Sequence, residues 1–222
     1  MESEPILRQG FLSSLEPGQQ RELVEAGHLV ELMAGQPLGP TVVHGYILVM
    51  LTGLLRVYLE SPAGRQVTVR YARPAEVLGL VHLFGATTAV RGQAVGEVRA
   101  WALPGKRIEA LARGHAAFAL AIARECADRT VDAMEELRLV TFGTVRERLS
   151  RHLLDLAAGD ERGQLTARVT QRELADAAGT VREVVARALK EMREQGLIAE
   201  GEGGIVLCDP GRLDDEAAGR VT

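Results

Sequence analysis

The chain has 222 residues, enough for two modest domains that each bury a core without metals or disulfides. Its composition, 46% hydrophobic, 25% charged and 4% aromatic, excludes a disordered chain, and apolar runs such as Tyr46 to Leu51 are far shorter than the roughly 20 residues of a membrane helix. A net charge of -4 counts against coating nucleic acid by bulk attraction, but not against a site-specific binder whose arginines gather on one face.

The first ten residues include Glu2 and Glu4 and lack the basic and apolar regions of a secretory leader, so a cytoplasmic location and no membrane contact are expected. Cys126 and Cys208 lie far apart and form no Cys-x-x-Cys pair, which suggests neither a disulfide framework nor a zinc site. From Ile6 to Val30, Leu7, Phe11, Leu12, Leu15, Leu23 and Val24, interrupted by Pro17-Gly18, predict short helices. From about Glu31 to Pro104 short Val-, Leu- and Tyr-rich runs recur between the glycine turns Ala34-Gly35, Thr52-Gly53, Ala63-Gly64, Gly79, Gly92 and Gly96. Alternation in Leu55 to Leu59 and in Gln66 to Tyr71 predicts strands with one buried face, hence an all-β barrel, roll or sandwich.

After Pro104 glycine thins out, and no proline recurs until Pro210, which predicts a long helical region. Leu120, Ala123, Ala127, Thr130, Met134, Leu137 and Thr141 follow a and d spacing for about three heptads. This series reads as a dimerisation helix; the competing reading is a helix packed on its own β-domain. Leu149, Leu153, Leu154 and Leu156 mark an amphipathic helix over Arg148 to Ala157, ended by Gly159 and Gly163, and the domain boundary falls near Phe142-Gly143. The expected divisions are 1–104, 105–142 and 143–222, with a tail from Asp214 to Thr222 that frays.

The most informative stretch is Val169 to Met192. Thr170 with Glu173 forms a capping box that opens a short helix, and Leu174 and Ala175 supply its buried face. Gly179 supplies the turn. The second helix buries Val184, Val185, Ala188, Leu189 and Met192 and presents Arg182, Glu183, Arg187 and Lys190. This is the layout of a helix-turn-helix whose second helix enters the major groove. Arginine offers paired donors to guanine O6 and N7, and glutamate accepts from cytosine N4, so Arg182, Glu183 and Arg187 are the expected base readers. Thr170, Gln171, Arg172, Thr180 and Lys190 are the expected backbone contacts. Gln195 to Glu200 and Ile205 to Cys208 around Gly201-Glu202-Gly203-Gly204 predict a hairpin, the wing of a winged helix. The competing reading of the Arg/Glu face is an ordinary solvated helix surface.

Gly179-Thr180-Val181-Arg182-Glu183-Val184-Val185-Ala186-Arg187 resembles the Gly-x-x-Arg-Glu-Thr-Val-x-Arg recognition helix of the CRP/FNR family, the cyclic-AMP receptor protein and its fumarate-nitrate regulator relatives. The resemblance is strongest over Val145 to Cys208 and extends more loosely over the β-region and the linking helix. It implies an α+β protein with an N-terminal cyclic-nucleotide-binding-like β-roll (a double-stranded β-helix), a long dimerisation helix and a C-terminal winged helix-turn-helix. It further implies a homodimeric transcription regulator on a near-palindromic site with half-sites about one helical turn apart, and RNA polymerase as a protein partner.

The effector motif departs from the cyclic-AMP-binding branch. That branch pairs Gly-Glu with a downstream Arg-Ser to hold ribose and phosphate. Here the first pair is Gly79-Leu80, the later segment reads Thr87-Thr88-Ala89-Val90-Arg91-Gly92, and a Thr-Ser pair that contacts the purine falls at Ala133-Met134. Leu80, His82, Thr88, Arg91, Ala133 and Met134 therefore mark a pocket not built for cyclic AMP, with Arg91 as the residue that could reach a phosphate from a shifted register. An iron-sulfur centre lacks its N-terminal cysteine cluster, and haem has only His82 or His44 as candidate ligands, so no cofactor is expected and a haem- or other ligand-gated regulator of the same fold is the alternative. The effector is an unidentified ligand or none. A cupin-like metal enzyme requires His-x-His, whereas His44 is followed two residues on by Tyr46 and the five histidines are scattered, so no enzyme and no metal are expected. A protein-interaction scaffold is the third class, and Arg182, Glu183 and Arg187 weigh against it.

Overall fold

The computed structural model describes residues 10–39, 45–85, 89–159 and 163–220. These fall into two units, Met1–Leu59 with Val69–Ala133, and Glu60–Thr68 with Met134–Thr222. In the first, a 3-10 turn at Gly10–Ser14 and helix α1 (Pro17–Glu25) precede β1 (His28–Leu32), so the predicted helical stretch ends short of Val30. Six further strands follow: β2 (Tyr46–Thr52), β3 (Leu55–Glu60), β4 (Gln66–Ala72), β5 (Val77–Leu78), β6 (Val90–Ala94) and β7 (Val98–Pro104). They form two antiparallel sheets, ordered β1-β7-β2-β5 and β4-β3-β6.

Strand β2 explains its own sequence. Leu48 and Met50 join Leu32, Leu55, Val57, Ala94 and Ala100 in a core between the sheets, while Ile47 and Val49 pack with Phe11, Leu23, Leu103, Ile108, Phe118 and Ile122 in a second core under the helices. A strand buried on both faces reads as a continuous apolar run, which is why Tyr46 to Leu51 does not alternate. The helices of that layer are α2 (Gly105–Gly114) and the first part of α3 (Ala116–Phe142). Phe11 stacks on Phe118 with ring centroids 5.5 Å apart, and the Trp101 indole N-H donates to the Val24 carbonyl at 3.0 Å. Gly92 is no turn. It sits inside β6 where a Cβ would meet Leu38 and Leu55 at 3.1–3.3 Å, so the missing side chain permits a close approach.

The second unit holds α4 (Val145–Leu156), β8 (Ala157–Gly159), β9 (Leu165–Ala167), α5 (Gln171–Ala177), α6 (Arg182–Glu194), β10 (Ile198–Gly201), β11 (Gly204–Leu207) and α7 (Pro210–Ala217). Its sheet is ordered β10-β11-β9-β8, and β10 and β11 are joined by the two-residue loop Glu202-Gly203, the expected hairpin. Helix α4 starts earlier than Arg148 because Thr144 and Glu147 form a capping box.

The tail does not fray over its first turns. Asp209 caps α7, Pro210 opens it, and Leu213 and Ala217, one turn apart, are buried. Glu216, 6% exposed, accepts from Arg146 through both carboxylate oxygens, Nε at 3.0 Å and Nη2 at 2.6 Å, and from the Ser150 hydroxyl at 3.0 Å. Three charge-assisted or hydroxyl donors compensate a carboxylate taken out of water, so α7 is tied to α4.

At the C-terminal end of α3 the half-buried Glu136 carries the opposite balance. Burial pushes its carboxyl up to about 7; Arg151 and Arg148 pull it down, while Asp155 and Glu135 push it further up. The native state thus prefers the protonated form relative to the unfolded chain. That stabilisation is complete below the ordinary carboxylate range and is lost as pH rises through about 7. Glu136→Gln is therefore expected to match the parent near pH 4 and to exceed it by about 1–2 kcal/mol at pH 8, after discounting for the solvent that reaches the carboxylate. Urea unfolding at the two pH values measures it.

Candidate nucleic-acid interface and interior cavity

Helix α5 begins where its cap dictates. The Thr170 hydroxyl accepts from the Glu173 N-H at 3.2 Å, and the Glu173 carboxylate accepts from the Thr170 N-H and hydroxyl, both at 2.7 Å. Thr170 is thus committed to the cap. Gly179 then takes φ +63°, a left-handed turn that a side chain resists, and the Thr180 N-H returns to the Ala175 carbonyl at 2.9 Å. Leu174, Ala175, Val185, Leu189 and Met192 are buried in one core, whereas Val184 and Ala188 are only half-buried. Arg148 fastens this turn to the preceding corner, donating to the Ala178 carbonyl at 2.9 Å and to that of Gly143 at 2.8 Å.

The face left over is the one the sequence marks. Arg182, Glu183, Arg187 and Lys190 are exposed, and the first three span about 140° of the helix surface at its N-terminal end. Among the described residues, no hydrogen bond or ion pair engages the side chains of Arg172, Arg182, Glu183 or Arg187. Lys190 lies 3.8 Å from Glu194 in an exposed pair worth little. Thr170, Gln171, Arg172, Thr180 and Arg182 line one concavity of about 470 Å³ between the starts of α5 and α6, so residues ten positions apart meet at one place.

A second cavity, of about 430 Å³, lies wholly in the first unit. Leu80, His82, Arg91 and Ala133 line it as the sequence suggests; Met134 does not and is 65% exposed, and Thr88 and His44 lie outside the described residues. Met134 departs because it comes one residue past Ala133, the last residue of α3 to line the cavity, and its side chain is exposed.

The cavity's charged wall is what the sequence does not disclose. Arg70 pairs with Glu76 and donates to the Val77 carbonyl at 3.0 Å. Arg129 reaches Glu125 at 2.9 Å, Asp132 at 3.0 Å and Glu76 at 3.5 Å. Burial, with Arg129 nearby, lowers the pKa of Arg70, against the pull of Glu76. Burial also works against Arg129, but its hydrogen bond to Glu125 and the charges of Glu76, Glu125 and Asp132 outweigh it and leave the pKa raised. Ala75, one residue before Glu76, holds φ +70° and donates its N-H to the Met50 carbonyl at 2.9 Å. Cys126 also lines this wall; burial, with Glu125 adding to it, pushes its thiol up, so the thiol stays protonated.

Two antiparallel sheets, a 27-residue helix and a winged helix-turn-helix with an arginine-bearing second helix define a DNA-binding regulator. Residues 42–115 match the cyclic nucleotide-binding domain, and residues 147–216 match the Crp-like helix-turn-helix domain. The transcriptional regulator LdrP of Thermus thermophilus is 34% identical over 172 residues, 74% of this chain and 84% of that protein. A crystal structure of a CRP-family transcriptional regulator, also from Thermus thermophilus, superposes with a TM-score of 0.69 at 26% identity, covering 85% of this chain and 96% of that one. A crp/fnr-family structure from Eubacterium rectale, at 20% identity, TM-score 0.72 and coverage of 93% and 96%, shares the fold. The chain belongs to the CRP/FNR family of transcriptional regulators, with a helix-turn-helix DNA-binding domain.

The turn between α5 and α6 is the feature most exposed to substitution. Gly179→Ala places a Cβ on a left-handed residue and is expected to cost about 1–2 kcal/mol in urea unfolding, with a matching loss of DNA affinity where the helices separate.

Proposed function

We propose that this regulator binds a near-palindromic duplex as a homodimer and that it does so without cyclic AMP. The observation that carries the reading is the state of the arginines. Arg70, Arg129 and Arg146 are held by carboxylates, whereas Arg182 and Arg187 stand exposed and unengaged on α6. An unengaged guanidinium keeps its paired donors for guanine, and Glu183 between them can accept from cytosine. Thr180, Gln171, Arg172 and Lys190 then set the register on the phosphates, and Thr170 contributes through the helix it caps.

Dimerisation is supported by the other helix. Leu120, Ala123, Ala127, Thr130, Met134, Leu137 and Thr141 lie along α3 on the side away from the buried Phe118, Ile122 and Leu139, and Leu120, Met134 and Leu137 are each more than half exposed. A seam with a and d spacing that turns away from the chain's own cores fits a second copy of itself. Independence from cyclic AMP is supported by Leu80, which is buried in the cavity wall where the Gly-Glu motif of the cyclic-AMP-binding branch places its carboxylate, and by Ala133, which has no hydroxyl to offer.

On a duplex recovered by selection and changed one base pair at a time, Arg182→Ala is expected to lose about 1–3 kcal/mol of affinity and to stop discriminating at one position per half-site. A uniform small loss at every sequence would sink the base-reading assignment. For the seam, Leu137→Asp is expected to sediment as a monomer and to bind the same duplex at least about tenfold more weakly, since one half-site then binds alone. A variant that stays dimeric would move the interface elsewhere.

A further inference from the structure

We propose that the cavity of the first unit takes an uncharged, largely apolar small molecule, and that Arg70 and Arg129 are closed to anionic nucleotides by the carboxylates paired with them. The inference gives the regulator an effector class and rests on the regulatory reading for its purpose, not for its chemistry.

The floor of the cavity is hydrocarbon. Leu55, Val57, Val69, Leu78 and Val90 come from four strands, and Gly92 lets the Leu38 side chain come close. Its volume of about 430 Å³ lies inside the roughly 300–1,000 Å³ that small-molecule sites occupy. Such a surface rewards removal of apolar area from water.

The wall would attract a phosphate only if its cations were available. Arg70 and Arg129 instead face Glu76, Glu125 and Asp132, and Glu76 serves both guanidiniums. Arg70 and Arg129 are thus compensated by three carboxylates, of which Asp132 lines the cavity itself, and an entering anion would have to displace these pairs while losing its hydration. The Thr130 hydroxyl, a further donor on the wall, is directed to the Cys126 carbonyl at 2.8 Å. Arg91 stands on the exposed end of β6, at the mouth and not in the depth. An occupant would touch Cys126, Arg129 and Ala133 on α3, the helix that carries the exposed seam, so filling the cavity can bias that helix.

The test uses the full chain and the neutral fluorophore N-phenyl-1-naphthylamine. Saturable binding of one probe per chain is expected, and a hundredfold molar excess of cyclic AMP over the probe should leave it in place. Val57→Trp, which fills the floor, should weaken probe binding at least about tenfold. Glu76→Gln, which removes the carboxylate shared by both arginines, should let millimolar cyclic AMP compete measurably, though weakly, with the probe, because Leu80 and Ala133 still withhold their contacts; no competition there overturns the role given to Glu76. Displacement by cyclic AMP from the unaltered chain, or no saturable binding, overturns the proposal, and so does a folded Val57→Trp variant that binds the probe as before. If that variant does not fold, the competition on the unaltered chain and on Glu76→Gln decides. Duplex binding is measured in parallel without probe, so failure of the regulatory reading registers there and leaves the probe result intact.

Discussion

A guanidinium held against a carboxylate cannot also address a base or a phosphate, and the division between held and unheld arginines organises this protein. Arg146 is used up tying α7 to α4 through Glu216, Arg148 in fastening the corner at Gly143 to the turn at Ala178, and Arg70 and Arg129 in the cavity wall. What is left unengaged on α6 is Arg182 and Arg187. For a chain of net charge -4 bulk attraction to a polyanion is low, and Arg182 and Arg187 are among the cations that no carboxylate holds.

Helix α3 is subject to a second constraint, because two of its faces are in use. One side contributes Phe118 and Ile122 to the core beneath the first sheet and Arg129 to the cavity wall; another carries the series from Leu120 to Thr141. Apolar residues therefore fall on both sides of the helix, Phe118 and Ile122 in the chain's own core and Leu120, Met134 and Leu137 exposed on the other side. On the proposed reading, an occupant of the cavity would touch the same helix that bears the proposed seam, which is what coupling a ligand to a second copy would require.

Much of the DNA-reading half is legible in the sequence because its signals are local. The Thr170–Glu173 capping box, the glycine at 179, the apolar spacing of Val185, Leu189 and Met192, and the hairpin around Glu202-Gly203 each lie within a few residues. The same Thr-x-x-Glu signal stands at Thr144–Glu147 and marks the true start of α4, three residues before Arg148, where the leucine pattern alone would begin it. Strands β8 and β9, three residues each, are too short to alternate and owe their existence to pairing with β11 and with each other. The docked tail is obscured by its acidic, small-residue composition, although Asp209-Pro210 is a helix start. The charged cavity wall is not readable at all, since Arg70, Glu76 and Arg129 meet only through the tertiary fold and nothing in their spacing announces it.

On the proposed reading, the unengaged arginines of two α6 helices read one two-fold site without an added ligand. Selection of bound sequences from a random duplex pool by the purified protein, at fixed salt and with nothing added, tests it most directly. The expected result is enrichment of an inverted repeat whose half-site centres lie about one helical turn apart. A pool that stays random, or that converges on a single asymmetric half-site, would contradict it.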